Sequence, residues 1–252
     1  FQNNKKLFSA LSKYEDIYKV LGLNTLFKYN NALKSNPKDV VLLSEALHEK
    51  KIAMLADQIV ERGDVKVILI AGPSCSGKTT FAGKLSTALR LDGIRPVTIS
   101  VDNYFVERQF NPKDEFGNYD FETIEAIDLE LFNNDLTKLI NGEEVIIPEF
   151  DFTNGTKSWK EERKLKIDKD QILIIEGIHC LNDRLTYLID PKYKFKIYIS
   201  DLTVLNIDYF NRISTTDTRL LRRIVRDNQF RGYSPLHTLK GWYSVRRGEK
   251  KH

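Results

Sequence analysis

The sequence predicts an α/β fold in which a parallel sheet carries helices on both faces. Four short apolar runs, at 65–71, 95–101, 171–177 and 195–200, are typical of buried strands. Stretches with helical periodicity separate these runs, and strands that alternate with helices favour a parallel sheet. A glycine-rich turn follows the first run directly, as expected where a strand leads into a ligand-binding loop.

That turn is a phosphate-binding loop of the form G-x-x-x-x-G-K-[ST] at 72–79. A helix is predicted next, with apolar residues at helical spacing over 81–89. Lys78 is placed to reach the β- and γ-phosphates, and the Thr79 hydroxyl to bind Mg²⁺. A chance Gly-Lys-Thr turn is disfavoured because strand and helix both flank the motif. The predicted nucleotide-binding residues are Gly72, Pro73, Ser74, Cys75, Ser76, Gly77, Lys78, Thr79 and Thr80.

Two acidic residues end predicted strands. Asp102 follows the second run and Glu176 lies near the end of the third. The carboxyl ends of parallel strands face one crevice, so both carboxylates are expected beside the phosphate-binding loop. We assign Thr79, Asp102 and Glu176 to Mg²⁺, and Asp102 also to deprotonating an acceptor hydroxyl. The alternative is that each acid pairs with a lysine or caps a helix.

A predicted helix at 217–227 carries Arg219, Arg222, Arg223 and Arg226 on one stripe. Leucine, isoleucine and valine occupy the opposite face, which we expect to pack inward. Guanidinium groups suit phosphate oxygens, so the helix is predicted to act as a lid over a nucleotide. A solvated basic face or a nucleic-acid contact is the alternative, and the choice of arginine throughout favours phosphate.

The chain is predicted to divide into a helical appendage at 1–62 and a nucleotide-binding domain at 63–252 that lacks its C-terminal end. In the appendage a helix is expected from an N-cap at Asp39 to Val60, with five residues facing inward: Leu43, Leu47, Ile52, Leu55 and Ile59. A further helix is expected near 129–139, and 165–167 is expected to pair with 145–152 as a small hairpin.

Composition excludes several classes of protein. The 252 residues carry 39 basic and 35 acidic side chains, a net charge of +4 that suits an anionic ligand without requiring nucleic acid. Two cysteines are too few for a disulfide framework. No apolar run of membrane-spanning length and no signal peptide is visible, so the expected location is the cytoplasm.

Taken together, the motifs resemble the phosphoribulokinase/uridine kinase family over roughly 65–235. The resemblance rests on the phosphate-binding loop and on five further segments: Val101–Phe105, Tyr119–Glu122 with Ala126–Asp128, Ile147–Phe152, Glu176–Ile178 and Asp217–Gly232.

The resemblance implies a P-loop NTPase-type fold and a kinase that uses ATP and Mg²⁺ to phosphorylate the 5′-hydroxyl of uridine or cytidine. It gives Lys78, Asp102 and Arg222 catalytic roles, and assigns Arg223 and Arg226 to the nucleotide. Acceptor-binding roles fall to Asp102, Tyr104, Asp120, Phe150 and Arg219, with Asp120 on the sugar hydroxyls and Tyr104 and Phe150 at the base. Relatives often assemble from identical subunits, which suggests a homo-oligomer.

The sequence departs from the family pattern at the base-contacting hairpin. The usual histidine is absent from Thr153–Lys157, Phe150 stands where a tyrosine is usual, and an insertion-like stretch occupies 202–214. Another nucleoside or a sugar-like alcohol therefore remains open as acceptor, as does a nucleotide-binding module without transferase activity. A switch GTPase is disfavoured because no Asn-Lys-x-Asp motif is present.

Overall fold

The computed structural model describes residues 17–200 and 205–251. The predictions that fall on 1–16, on 201–204 and on His252 lie outside these residues. The chain forms two compact units, one with the described residues of 17–51 and 205–221 and the other with 52–200 and 222–251. The predicted domain boundary after residue 62 stays a prediction, and each unit is described by itself below.

The helices, in chain order, are α1 (Leu26–Ser35), α2 (Pro37–Arg62), α3 (Lys78–Leu91), α4 (Leu129–Ile140), α5 (Thr215–Phe230) and α6 (Pro235–Lys251). The strands are β1 (Val67–Ala71), β2 (Arg95–Ser100), β3 (Val145–Ile146), β4 (Glu149–Asp151), β5 (Thr156–Ser158), β6 (Lys164–Leu165), β7 (Gln171–Glu176) and β8 (Lys194–Tyr198). None of the helices in the described ranges combines the length and apolar character that crossing a membrane requires.

The smaller unit contains α1 and the first part of α2. The Thr25 side chain caps α1 by accepting from the backbone N–H of Lys28, and a β-bridge joins Thr25 to Asn206. The expected N-cap at Asp39 is wrong, because the Asn36 side chain accepts from the backbone N–H of Asp39 at 3.2 Å. The helix therefore begins at Pro37, a residue suited to a first helical turn.

The larger unit is built on a parallel sheet of strand order β2-β7-β1-β8. β7 pairs with both β1 and β2, so Glu176 lies opposite Ile70 on one side and Ser100 on the other. This register brings the carboxyl ends of β1, β2 and β7 to one edge of the sheet. The predicted parallel sheet is confirmed, whereas its strand order was not predicted.

Each face of the sheet is covered by its own apolar cluster. One joins side chains of α2 and α3 to β1, β7 and β8, and includes Ile52, Ile59, Leu85 and Leu89. The other joins α4 and the segment after β2 to the opposite face, and includes Phe132, Leu136 and Leu139. Of the five residues expected to face inward on α2, Ile52 and Ile59 are buried, whereas Leu43 is exposed.

Two short antiparallel pairs lie beyond α4. β3 pairs with β6, with Val145 opposite Leu165, and β4 pairs with β5, with Phe150 opposite Lys157. α4 begins where the Asp128 side chain accepts from the backbone N–H of Leu131. The expected helix and returning hairpin are both present, and Phe150 of β4 contacts Phe105, which follows β2.

Candidate active site

The phosphate-binding loop connects β1 to α3. Gly77, at φ 96°, immediately precedes the first helical residue, Lys78, so the N-terminus of α3 faces the loop. A side chain at Gly72 would overlap the backbone oxygen of Ile199, which explains why the loop starts with glycine. The Lys78 ammonium donates to the Pro73 carbonyl at 3.3 Å. A helix N-terminus with a lysine folded over the loop is a built site for phosphate oxygens.

Glu176 lies close enough to Asp102 for that second acid to affect its ionisation. The Thr79 hydroxyl donates to Glu176 Oε1 at 3.2 Å. Burial raises the pKa of Glu176, and the neighbouring Asp102 raises it further, while Lys78 acts in the opposite direction. A buried carboxylate next to a second acid is stable in its ionised form only if a cation lies nearby.

The oxygen donors around Glu176 fit Mg²⁺. Two carboxylates and a hydroxyl are the hard ligands this ion prefers, and Mg²⁺ in phosphoryl-transfer sites takes one or two carboxylates together with substrate phosphates. Within the described ranges no cluster of three or more His, Cys, Asp or Glu forms a metal cage by itself. The arrangement therefore suits an ion that is shared with a nucleotide.

The arginines of α5 reach the phosphate-binding loop. Arg223 Nη1 donates to Ser74 Oγ at 2.8 Å, and a guanidinium nitrogen of Arg222 lies 3.6 Å from the point that a Cβ on Gly77 would occupy. Asp227 holds the cluster together, because its carboxylate accepts from Arg226 at 2.6 Å and pairs with Arg223 Nε at 3.3 Å.

The packing predicted for the apolar face of α5 is wrong in part. We expected the arginines to present to phosphate and the apolar residues to pack; Arg222, Arg223 and Arg226 do line the cavity with the loop, but Leu221 is 65% exposed and Val225 55%, while Asp227 on the polar face is 2% exposed. The physical reason is that the polar face makes the directed contacts, through Asp227 and Ser74, which outweigh the burial of two aliphatic side chains.

One cavity of about 1220 Å³ contains the whole arrangement. Its nucleotide end is lined by Ser74, Cys75, Gly77, Lys78, Thr79, Thr80, Arg222, Arg223 and Arg226. Asp102 and Glu176 line it as well. The loop, both acids and three arginines therefore share one site, as the positions of the strand ends predict.

The other end of the cavity has an aromatic wall, formed by Phe105, Phe121, Phe150 and Phe152. The Phe105 ring centroid lies 5.6 Å from that of Phe150 and 5.8 Å from that of Phe152. Arg231 lies 5.1 Å above the Phe152 ring, and burial lowers its pKa. Flat apolar walls with a cation at the edge suit a planar ligand with polar substituents.

Comparison with known proteins identifies the family. The model of the phosphoribulokinase / uridine kinase family matches residues 67–249. The chain belongs to this family. It is 32% identical over 167 residues to the uridine kinase of Macrococcus caseolyticus (strain JCSC5402), covering 66% of this chain and 70% of that protein. It is 33% identical over 169 residues to the uridine kinase of Borrelia duttonii (strain Ly), covering 67% and 70%.

A solved structure supports the fold. A protein from Silicibacter sp. TM1040, named as a candidate fructose transport system kinase, superposes with a TM-score of 0.54 at 17% identity over 79% of this chain and 94% of that one. That likeness concerns the fold; the family match and the two uridine kinase relatives support a P-loop kinase, and the family implies the use of ATP.

Some predicted acceptor residues of this kinase lie elsewhere. Tyr104, expected at the base, is 0% exposed and does not line the cavity; its hydroxyl donates to Asp135 Oδ2 at 3.0 Å. Asp120 accepts from the backbone N–H of Glu122 and is not among the described residues that line the cavity. Arg219 belongs to the other compact unit, and its predicted role at the acceptor stays a prediction. Gly72, Pro73 and Ser76 support the loop without lining the cavity.

Other cavity residues were missed from the sequence. Phe105, Phe121 and Phe152 appear in the quoted motifs without a role, although the alternation of Phe150 and Phe152 on β4 and just beyond it could have indicated a shared face. Glu122 was quoted in the same way. No element was predicted for α6, which contributes seven of the lining residues: His237, Lys240, Gly241, Tyr243, Ser244, Val245 and Arg247.

Proposed function

We propose that this kinase transfers the γ-phosphate of ATP to an alcohol, and that the acceptor is a nucleoside phosphorylated at its 5′-hydroxyl. The observation that supports the proposal is the single cavity, whose lining includes the phosphate-binding loop, Asp102 and the aromatic wall. A site for phosphoryl transfer needs both substrates in one enclosed space with an acid near the acceptor hydroxyl.

Each group has a role in the transfer. Lys78, Arg222, Arg223 and Arg226 neutralise the phosphate oxygens, and Asp102 takes the proton of the acceptor hydroxyl. The acceptor oxygen bonds to the γ-phosphorus as the bond to the leaving oxygen breaks, and ADP carries away that electron pair. Thr79, Glu176 and Asp102 would hold Mg²⁺, which would supply charge neutralisation for the nucleotide phosphates.

The aromatic wall supports a nucleoside rather than a simple alcohol. Four phenylalanine rings offer stacking surface for a base, and stacking tolerates different bases. The two relatives above are named uridine kinases, which favours uridine or cytidine. The hairpin that departs from the family pattern lies at this end, so purine nucleosides and sugar-like alcohols belong in the same test.

The test is ADP release from Mg-ATP with a panel of nucleosides and small alcohols. We expect Asp102→Asn to lower kcat by roughly a hundredfold or more while ATP binding is retained, since general-base catalysis contributes about 10²–10⁴-fold. The matched control is Asp190→Asn, at a surface acid far along the chain from the motif. Full turnover by Asp102→Asn would contradict the assignment of the base.

A second candidate is an ATP-binding module without nucleoside kinase activity. The observation that favours it is the altered hairpin, which carries Thr153–Lys157 where a base-reading histidine is usual. Calorimetric binding of Mg-ATP together with no transfer to any acceptor in the panel would favour this candidate. Assembly from identical subunits stays a prediction, which light scattering tests.

A further inference from the structure

Arg108 is held against the turn of the β4–β5 hairpin at the aromatic end of the cavity. Its backbone N–H donates to the Gly155 carbonyl at 2.9 Å. Its side-chain Nη2 donates to the carbonyls of Phe152 at 2.8 Å and Thr153 at 3.2 Å. Arg108 lines the cavity, and so does Phe152, whose ring belongs to the aromatic wall. The guanidinium is therefore positioned beside the wall before a ligand binds.

Gly155 leaves the space that this side chain occupies. A Cβ at Gly155 would lie 2.7 Å from both the Cβ and the Nε of Arg108, and 3.0 Å from its Cζ. The φ of Gly155 is 73°, in the region that favours glycine. The stretch from which the usual histidine is absent, Thr153–Lys157, thus contains a glycine against which an arginine from another segment packs.

Three N–H groups of Arg108 remain available to a ligand. A guanidinium has five N–H donors and no acceptor, and the two donors of Nη2 serve the hairpin carbonyls. Across residues 17–200 and 205–251 no hydrogen bond uses Nε or Nη1 of Arg108, and no ion pair includes it. A cation with unused donors at the edge of a cavity is suited to recognising a ligand.

The acid nearest in charge to Arg108 does not neutralise it by contact. Hydrogen bonds from Asn154 are the main cause of the lowered pKa of Asp151, and the charge of Arg108 contributes least. The Asp151 carboxylate instead accepts from the backbone N–H groups of Thr153 and Asn154 at 2.8 and 3.2 Å. The positive charge of Arg108 is thus left to act on the cavity.

We propose that Arg108 selects nucleosides whose base carries an oxygen, rather than an amino group, at the exocyclic position remote from the sugar. The inference rests on the proposed function and narrows its acceptor by the chemistry of the base. The aromatic wall takes the flat face of the base, and Nε and Nη1 donate to the oxygen at its far edge. Arginine makes the same kind of contact with O6 and N7 of guanine.

The selectivity follows from the absence of any acceptor on a guanidinium. Uracil offers O4 and hypoxanthine offers O6 with N7, all of which accept hydrogen bonds. Cytosine and adenine carry an amino group at the corresponding position, and its N–H groups find only further donors on Arg108. Binding those bases would leave polar groups unpaired in the cavity, which disfavours them.

The test compares two matched pairs of acceptors with saturating Mg-ATP: uridine against cytidine, and inosine against adenosine. We expect the wild type to show a kcat/KM about tenfold or more higher for the carbonyl member of a pair, as for one good arginine–base contact. In Arg108→Gln the ratio should fall to within about twofold of one, because an amide both donates and accepts. The KM for ATP should stay unchanged. If one pair alone is phosphorylated, its ratio decides.

Gly155→Ala displaces the guanidinium without changing its chemistry. The added Cβ overlaps the Arg108 side chain, so the ratio within each pair should fall toward one. Gly63→Ala is the matched control, because Gly63 has a φ of 72° and nothing within 4 Å of its Cβ position. It carries the same backbone strain without the overlap and should keep the wild-type ratio. Urea titration checks that both variants fold.

Three results would overturn the inference while the kinase function stands. The first is a wild type that treats both members of each pair alike or prefers the amino member. The second is an equal loss for all acceptors in Arg108→Gln, which is the effect of a purely structural contact with the hairpin. The third is a wild-type ratio in Gly155→Ala. No transfer to any acceptor by the wild type would overturn the proposed function and this inference together.

Discussion

The two ends of the cavity are built in different ways. The nucleotide end comes from one contiguous loop, a helix N-terminus and strand ends, so the backbone supplies most of its shape. The acceptor end is assembled from side chains of four segments: the segment after β2, the loop before α4, β4 with Phe152 just beyond it, and α6. A backbone-built end is preserved when side chains vary, whereas a side-chain-built end changes its ligand with a few substitutions. The following predictions test this contrast.

The largest effect is expected at the nucleotide end. Lys78→Ala removes the ammonium group that lies over the loop, so turnover should fall by about a hundred- to a thousandfold, as for other lost transition-state contacts. Steady-state assays measure the fall, and circular dichroism checks that the fold is retained. Turnover within about twofold of wild type would contradict this role, because it would show that Lys78 does not stabilise the transition state more than the bound substrate.

The second effect concerns the arginines that connect the two ends. Asp227→Ala leaves Arg223 and Arg226 without their shared carboxylate, and breaking a buried pair costs about 3–5 kcal/mol of unfolding free energy. Because these guanidinium groups are partly exposed to the cavity, we expect the lower end of that range. Urea titration measures it.

Asp57→Ala is the matched control for the carboxylate at position 227. It removes an exposed acid from α2, where alanine favours the helix, and should change stability by less than about 0.5 kcal/mol. Equal losses in the two variants would show that Asp227 does not organise the cluster.

The third prediction tests whether Tyr104 belongs to the core or to the aromatic wall of the cavity. Burial is the main cause of the raised pKa of Asp135, and the Tyr104 hydroxyl donates to this carboxylate. Tyr104→Phe removes that donor and should cost about 1–3 kcal/mol of stability. The KM for the acceptor should stay unchanged, because Tyr104 is enclosed in the core against Phe132 at 4.8 Å between ring centroids. A large rise in acceptor KM would return Tyr104 to the base-binding role expected from the resemblance.

The smallest effect is expected at the wall itself. Phe150→Leu keeps much of the volume but loses the ring that contacts Phe152 at 5.1 Å between centroids, and aromatic contacts contribute about 0.5–1.5 kcal/mol. The KM for the acceptor should rise about three- to tenfold with the KM for ATP unchanged. A rise in the KM for ATP instead would show that the two ends are not separable.

The same contrast explains what could be predicted from the sequence. The phosphate-binding loop is contiguous, so its spacing alone locates Lys78 and Thr79, and the rule for strand ends brings Asp102 and Glu176 beside them. The strand order was beyond reach because β7 inserts between β1 and β2 through hydrogen bonds that no local pattern records.

Away from the phosphate-binding loop and the strand ends, local sequence patterns gave wrong predictions. The periodicity of α5 is the same whichever face packs, and only the contacts of Arg223 with Ser74 and Asp227 decide its orientation. Tyr104 follows Asp102 by two residues, yet a turn of 3₁₀ helix at Val101–Tyr104 sends its ring into the core. Glu122 lines the cavity, whereas Asp120, two positions earlier, does not. The backbone of Gly248 in α6 packs against Glu122, and a contact 126 positions away in the chain leaves no local pattern in the sequence.

The double pairing of β7 has a consequence for how such a protein can diversify. Glu176 keeps its neighbours through two ladders of main-chain hydrogen bonds, so losing or gaining one residue in this strand would rotate the carboxylate to the opposite side of the sheet. Point substitutions leave those ladders untouched. Evolution can therefore exchange rings and charges around the acceptor one at a time, whereas insertions or deletions in β7 would be selected against.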